Sequence, residues 1–126
     1  MSAPAARVRR GAEARRAGRS AELVAALWLM AKGYRILALR LRTPQGEIDL
    51  LARRGRTLAV VEVKRRGNLQ AARDAVTADQ RRRLVAAAGG LARRRKSLAG
   101  LEVRLDLFVL APGARPRHIA GAWGHE

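Results

Sequence analysis

From Ser20 to Lys32 the chain is apolar at almost every position, rich in Ala, Leu, Trp and Met, with Glu22 the only charge before Lys32. Such a run predicts a buried helix, and Gly33 supplies its C-terminal stop. Residues 34–42 (YRILALRLR) alternate apolar and basic side chains towards their end, the period of a half-exposed strand. Thr43, Pro44, Gln45 and Gly46 read as a turn. Residues 47–53 (EIDLLAR) and 57–65 (TLAVVEVKR) are two further strands on either side of Gly55, which makes a three-stranded meander. Residues 66–75 read as a mobile polar connection around Gly67 and Asn68. From Thr77 to Lys96, Leu84, Val85, Ala88 and Leu91 recur at helical spacing, with Gly89 and Gly90 a weak point in the middle. Residues 101–110 (LEVRLDLFVL) alternate and then become wholly apolar, as a strand entering a core does, and residues 118–123 suit a short edge strand.

The order helix, three strands, helix, one or two strands implies an α/β fold with one mixed sheet flanked by helices. A chain of 126 residues, 48% hydrophobic, holds material for one core. Arg7, Arg9, Arg10, Arg15 and Arg16 lie among Ala and Gly, so residues 1–18 read as a basic, flexible arm ahead of a domain over 19–126. Aromatic residues are scarce, and Trp28 and Trp123 are expected to pack rather than to stack on bases.

Charge changes the picture. Against 10 acidic residues stand 27 basic ones, a net +17 that repels itself and that a polyanion would relieve. Only Lys32, Lys64 and Lys96 are lysine. Guanidinium groups suit bidentate phosphate contacts. Nucleic acid is the expected partner, contacted by Arg81, Arg82 and Arg83 and by Arg93, Arg94, Arg95 and Lys96. With no cysteine, any metal must sit on oxygen or imidazole. The apolar run 21–31 falls short of the roughly 20 residues that span a bilayer, and no signal-peptide pattern follows it. The expectation is a cytoplasmic protein with no membrane span.

The candidate chemistry lies on the meander. Gly55 and Arg56 suit a two-residue hairpin loop whose first position needs positive φ. That loop pairs Arg54 with Thr57, Leu51 with Val60, Asp49 with Glu62 and Glu47 with Lys64. Opposed residues share a face with Cβ atoms about 4.5–5.5 Å apart, and like charges so placed destabilise the pair. Asp49 and Glu62 therefore need a cation between them or must share a proton. Mg²⁺ or Mn²⁺ suits two carboxylates and keeps open positions for water and phosphate oxygens. Lys64 would then offset the charge that develops during phosphodiester hydrolysis.

The segment GEIDLLARRGRTLAVVEVK resembles the core of the PD-(D/E)XK nuclease superfamily, with Asp49 on one strand and the triplet Glu62, Val63, Lys64 on the next. More narrowly, the chain is similar to the YraN-type bacterial family, whose fold is like that of archaeal Holliday junction resolvases. The likeness runs through Glu22 in the first helix, GYRIL (33–37), GEIDL (46–50), VEVK (61–64), VTADQRRRL (76–84) and VRLDLFVL (103–110). Arg65 and Asp79 depart from the family pattern, which has Thr and Lys there. The resemblance implies a restriction-endonuclease-like fold, metal held by Asp49, Glu62 and the Val63 carbonyl, Glu22 reaching the site, and Gln80 near it. It also implies Mg²⁺ or Mn²⁺ as cofactor, DNA ahead of RNA as substrate, branched or junction DNA in particular, and a homodimer to match a two-fold substrate.

Plainer readings stand beside these. Asp49, Glu62 and Lys64 also fit a surface ion-pair cluster, although Glu62 interrupts a Val-rich strand where an unneeded charge is costly. Glu47 suits pairing with Lys64. Glu22 suits a helix start, and Gln80 stands three residues after Thr77 at capping-box spacing. His118 and His125 show no ligand spacing and read as incidental. The competing function is a non-catalytic nucleic-acid-binding module that keeps the nuclease fold.

Overall fold

The first helix stops where Gly33 permits a left-handed turn. The computed structural model describes residues 20–124, so the expected arm over 1–18 and His125 lie outside the described residues. Residues 20–31 are helical (α1), and Gly33 at φ +89 closes the helix. The Gly33 and Tyr34 amides donate to the Met30 and Leu29 carbonyls, which satisfies the last open acceptors. Then follow Arg35–Thr43 (β1), Gly46–Arg54 (β2) and Thr57–Arg65 (β3) as an antiparallel meander. Gly55 at φ +59 makes the two-residue turn, and Arg54 pairs with Thr57 and Leu51 with Val60, as the sequence predicts.

Residues 66–75 are not a loose connection. Asn68 accepts the Ala71 amide at 2.8 Å and caps a helix, Leu69–Asp74 (α2), which buries Ala72 and is followed by buried Val76. Six residues are too few to give a periodic signal, so the sequence shows only the cap and the polar exterior. Ala78–Arg94 (α3) begins at Thr77, with Thr77 and Gln80 exchanging side-chain and amide hydrogen bonds in a capping box. It runs unbroken through Gly89 and Gly90, because Leu84, Ala87, Ala88 and Leu91 all pack on the sheet. A 3₁₀ turn, Lys96–Leu98, leads into Glu102–Leu110 (β4), and Arg117–Ile119 (β5) ends the sheet.

The sheet order is β1-β2-β3-β4-β5, with β3 and β4 parallel and the other neighbours antiparallel. Leu58, Val60 and Leu105 face α3; Ala59, Val61 and Phe108 face α1; Leu107 and Val109 meet Ala72 and Val76. This is the α/β architecture, a mixed sheet flanked by helices, that the element order implies. One expectation fails. Ala21, Ala25, Ala26 and Leu29 are buried, yet Leu23, Leu27 and Met30 are more than half exposed, so α1 is buried on one side only. A helix in an outer layer meets the sheet along a single stripe, whatever the composition of its outer side. Among the described residues no helix is long and apolar enough to cross a membrane.

His118 is not incidental to the fold. It lies beside fully buried Asp106, whose carboxylate accepts Arg104 through both oxygens, His118 Nε2 at 2.8 Å and the Gly121 amide at 3.0 Å. Burial alone would raise the Asp106 pKa, but these donors hold it below the usual carboxylate range. Arg104 also donates to the Tyr34 hydroxyl, and Lys32 reaches His118 Nδ1, so the hub ties β4 and β5 to the end of α1. Replacing Asp106 by Asn leaves Arg104 without its counter-charge, and the expected loss is about 3 kcal/mol of unfolding free energy. Urea denaturation of Asp106→Asn measures it, and a loss below about 1 kcal/mol would show that the hub adds little.

Candidate active site

The β2–β3 ladder runs from Arg54–Thr57 to Leu50–Val61 and stops there. Asp49 and Glu62 are the next residues in that register, but they are not a ladder pair. The Asp49 carboxylate instead accepts the Val63 amide at 2.9 Å, in the place of a main-chain oxygen. The expected direct opposition is thus corrected: the two strands part at this point, and a side chain bridges the gap. On its other side Asp49 falls between the β1–β2 pairs Leu39–Leu50 and Leu41–Ile48, across from Arg40, which has φ +51. Leu50 packs on the α1 side and Ile48 on the α3 side, although two residues apart in an unbroken strand share a face. The strand turns over at Asp49.

Glu62 is only 8% exposed. Burial, reinforced by the Asp49 charge and by an Asp49 oxygen within hydrogen-bonding reach, pushes its carboxyl up to about 7, against the opposing pull of Lys64. Lys64 Nζ lies 3.3 Å from Glu62 Oε1, so its acidic partner among the described residues is on its own strand, and not Glu47 across the hairpin. Glu47 is exposed. The reason is again the parting of β2 from β3, which removes Glu47 from the register that would have set it against Lys64.

Glu22 reaches this place from α1. It is buried, and Arg40 Nε donates to both its oxygens, at 3.1 and 2.9 Å. Burial raises the Glu22 pKa; Arg40 opposes the rise, while the Asp49 and Glu47 charges add to it. Positive φ strains a non-glycine residue. At Arg40 that strain accompanies a guanidinium turned onto Glu22, beside the carboxylate group of the site. Nothing in the composition of β1 marks Arg40 apart from the other arginines there.

Over Glu62 opens a cleft of about 130 Å³ lined by Gln45 from the β1–β2 turn, Gly46 and Glu47 at the start of β2, and Gln80, Arg83 and Leu84 from α3. Gln80 Oε1 completes the capping box, and the residue also lines the wall beside Glu62. Gln45 Oε1 is buried with no hydrogen-bond partner, an uncovered acceptor next to the carboxylates. Read only as a turn residue, Gln45 carries no sequence signal for the site. Arg83 is held by Asp79 at 2.7 Å, and Arg82 lies 3.6 Å from the same carboxylate. Arg81 donates to the Val76 carbonyl and stacks over Trp123.

Arg93, Arg94, Arg95 and Lys96 are exposed at the other end of α3, about 18 Å from Arg82 by helix rise. Only the first basic group adjoins the carboxylates. Among the described residues no group of three or more His, Cys, Asp and Glu is arranged to hold a metal ion. The donors on hand are the Asp49 and Glu62 carboxylates, the unpartnered Gln45 oxygen and the Val63 carbonyl, which by strand geometry leaves the chain on the same side as its amide. This set is all oxygen and suits a hard divalent ion that keeps several waters.

The sequence profile of the uncharacterised protein family UPF0102 matches residues 21–110, which contain every residue of this site. A UPF0102 protein of Caulobacter vibrioides (strain NA1000 / CB15N) is 62% identical over 115 residues, covering 91% of this chain and 92% of that protein. One from Parvibaculum lavamentivorans is 51% identical over 113 residues, covering 90% and 85%. A third, from Erythrobacter litoralis, is 49% identical over 110 residues, covering 87% and 94%.

The raised Glu62 pKa has a consequence for stability. Between the ordinary glutamate value of 4.5 and about 7 the folded chain holds a proton that the unfolded chain releases, so this group's stabilisation is present at low pH and lost as pH rises through 7. Glu62→Gln removes that dependence. Without added metal, the variant should gain on the parent by on the order of 2 kcal/mol between pH 5 and 8. Denaturant titrations at both pH values measure the difference, and an unchanged gap between the two proteins contradicts the assignment.

Proposed function

The chain belongs to the uncharacterised protein family UPF0102, and on that premise we propose that it is a Mg²⁺- or Mn²⁺-dependent nuclease-like protein that hydrolyses phosphodiester bonds, with DNA ahead of RNA. The observation that carries this reading is the Asp49–Glu62 pair: two carboxyls at hydrogen-bonding reach, one of them buried and pushed up to about 7. Their repulsion is relieved by a proton in the free protein and by a divalent cation in the working one. A carboxyl perturbed as Glu62 is, in a cleft, marks a functional candidate.

Asp49, Glu62 and the Val63 carbonyl would hold the metal, with the Gln45 oxygen at hand for a bound water. When bound, the ion supplies a polarised phosphate oxygen and a more acidic water. Lys64, fixed beside Glu62 at 3.3 Å, offsets negative charge as the phosphorus gains its fifth oxygen. Arg83 and the capped start of α3 line the same cavity and favour a phosphate there. Glu22 would serve as an accessory carboxylate, its charge balanced by Arg40 at 2.9 Å.

One observation favours a second reading, a nucleic-acid-binding module without hydrolysis: the described residues bring no third acidic or imidazole ligand to the pair. Cleavage separates the two. With Mn²⁺, the protein is expected to cut at least one of linear duplex, single-stranded and four-way-junction DNA, with Asp49→Ala and Lys64→Ala each slower by about 100-fold or more. Absence of cleavage on all three substrates, or equal rates for Asp49→Ala and the parent, overturns the nuclease reading.

A further inference from the structure

Lys64 and Arg65 leave β3 on opposite faces of the sheet. Lys64 serves the carboxylates, whereas Arg65 opens with Arg66 onto an open groove of about 620 Å³ whose apolar wall includes Val24, Leu110 and Pro112. Among the described residues Arg65 has no ion-pair or hydrogen-bonding side-chain partner, and the Arg66 guanidinium bonds only the Arg65 carbonyl oxygen, at 2.7 Å. Two cations without counter-charge thus border an apolar trough. One helical turn beyond Val24 on α1 stands Trp28, which meets the Phe108 ring edge-on at 6.3 Å and remains 38% exposed. Trp28 thus packs, as expected, and leaves part of its ring open.

A ligand that suits this strip must be anionic at the groove mouth and flat and apolar beside it. A strand of nucleic acid with unstacked bases has that alternation; in a duplex the base faces are covered and present nothing to a Trp ring. A second copy of this chain would bring +17 of like charge, Arg65 and Arg66 included, to the same place.

We infer that the end of β3 is a saddle over which an unpaired strand passes from the carboxylate site into this groove, its phosphates on Arg65 and Arg66 and a base on Trp28. This deepens the nuclease reading and rests on it: the substrate class is nucleic acid with a single-stranded tail, flap or branch point. The strip holds the unpaired part, while Asp49, Glu62 and Lys64 act at the phosphate where it leaves the site.

Binding without metal tests it, so that hydrolysis plays no part in the readout. In a Trp123→Phe background, Trp28 is the one remaining tryptophan. A short oligothymidylate should quench its fluorescence and bind about tenfold tighter than a duplex of equal length. Trp28→Ala, followed by anisotropy of a labelled oligonucleotide, should weaken single-strand binding about tenfold, with Trp28→Phe restoring most of it. Arg65→Ala/Arg66→Ala should lower the salt dependence of single-strand binding by about 1.4 in log–log slope. Equal affinity for duplex and single strand, no quenching, or quenching by protein concentration alone, as a second copy would cause, overturns the inference. A protein that shows these binding effects but cuts nothing upholds the strip and refutes the nuclease reading. One that cuts paired DNA while ignoring tails does the reverse.

Discussion

A carboxylate standing in for a main-chain acceptor is the interaction on which the rest of this structure depends. By taking the Val63 amide, Asp49 lets β2 leave β3 without abandoning a buried donor. The same contact draws a second negative group towards buried Glu62. The geometry that solves a hydrogen-bonding problem thus creates an electrostatic one. Burial beside the Asp49 charge favours a proton on Glu62, and on the proposed function a divalent cation would take its place.

The fold keeps that conflict in place from both faces. The capped start of α3 brings Gln80 and Arg83 over Glu62, while α1 brings Glu22 from the other side with Arg40 bound to it. Strain at Arg40 and the turning over of β2 at Asp49 are one event, since both occur at the same point of the β1–β2 pairing. Parallel pairing of β3 with β4 continues past the point where β2 leaves, so Glu62 and Lys64 sit on a strand still anchored along one edge. The Asp106 hub, on the adjoining strand β4, fixes β4 and β5 against the end of α1.

What could be read from the residues follows from how local each signal is. The hairpin register was legible because a single glycine, Gly55, sets the turn and the turn sets every pair behind it. The α3 cap was legible because Thr77 and Gln80 are three residues apart. The parting of the strands was not, because it depends on a side-chain hydrogen bond and on a positive φ at Arg40, neither of which periodicity records. Helix α2 was too short for a pattern, and Gln45 gained meaning only when its turn folded over Glu62. The outer side of α1 misled, since an apolar run says a helix is sticky without saying how many of its sides are covered. His118 lacked a sequence partner because Asp106 and Lys32 come to it from β4 and the end of α1.

On the proposed function a divalent cation and a proton compete for the Asp49–Glu62 pair. Titration calorimetry of Mn²⁺ into the protein at pH 6, repeated in buffers of different ionisation enthalpy, counts the protons released on binding. With the Glu62 carboxyl at about 7, binding should release most of one proton at pH 6 and little at pH 8, and Glu62→Gln should bind weakly and release none. Mn²⁺ binding with no proton release at pH 6, or binding left intact in Asp49→Ala and Glu62→Gln alike, would contradict the account.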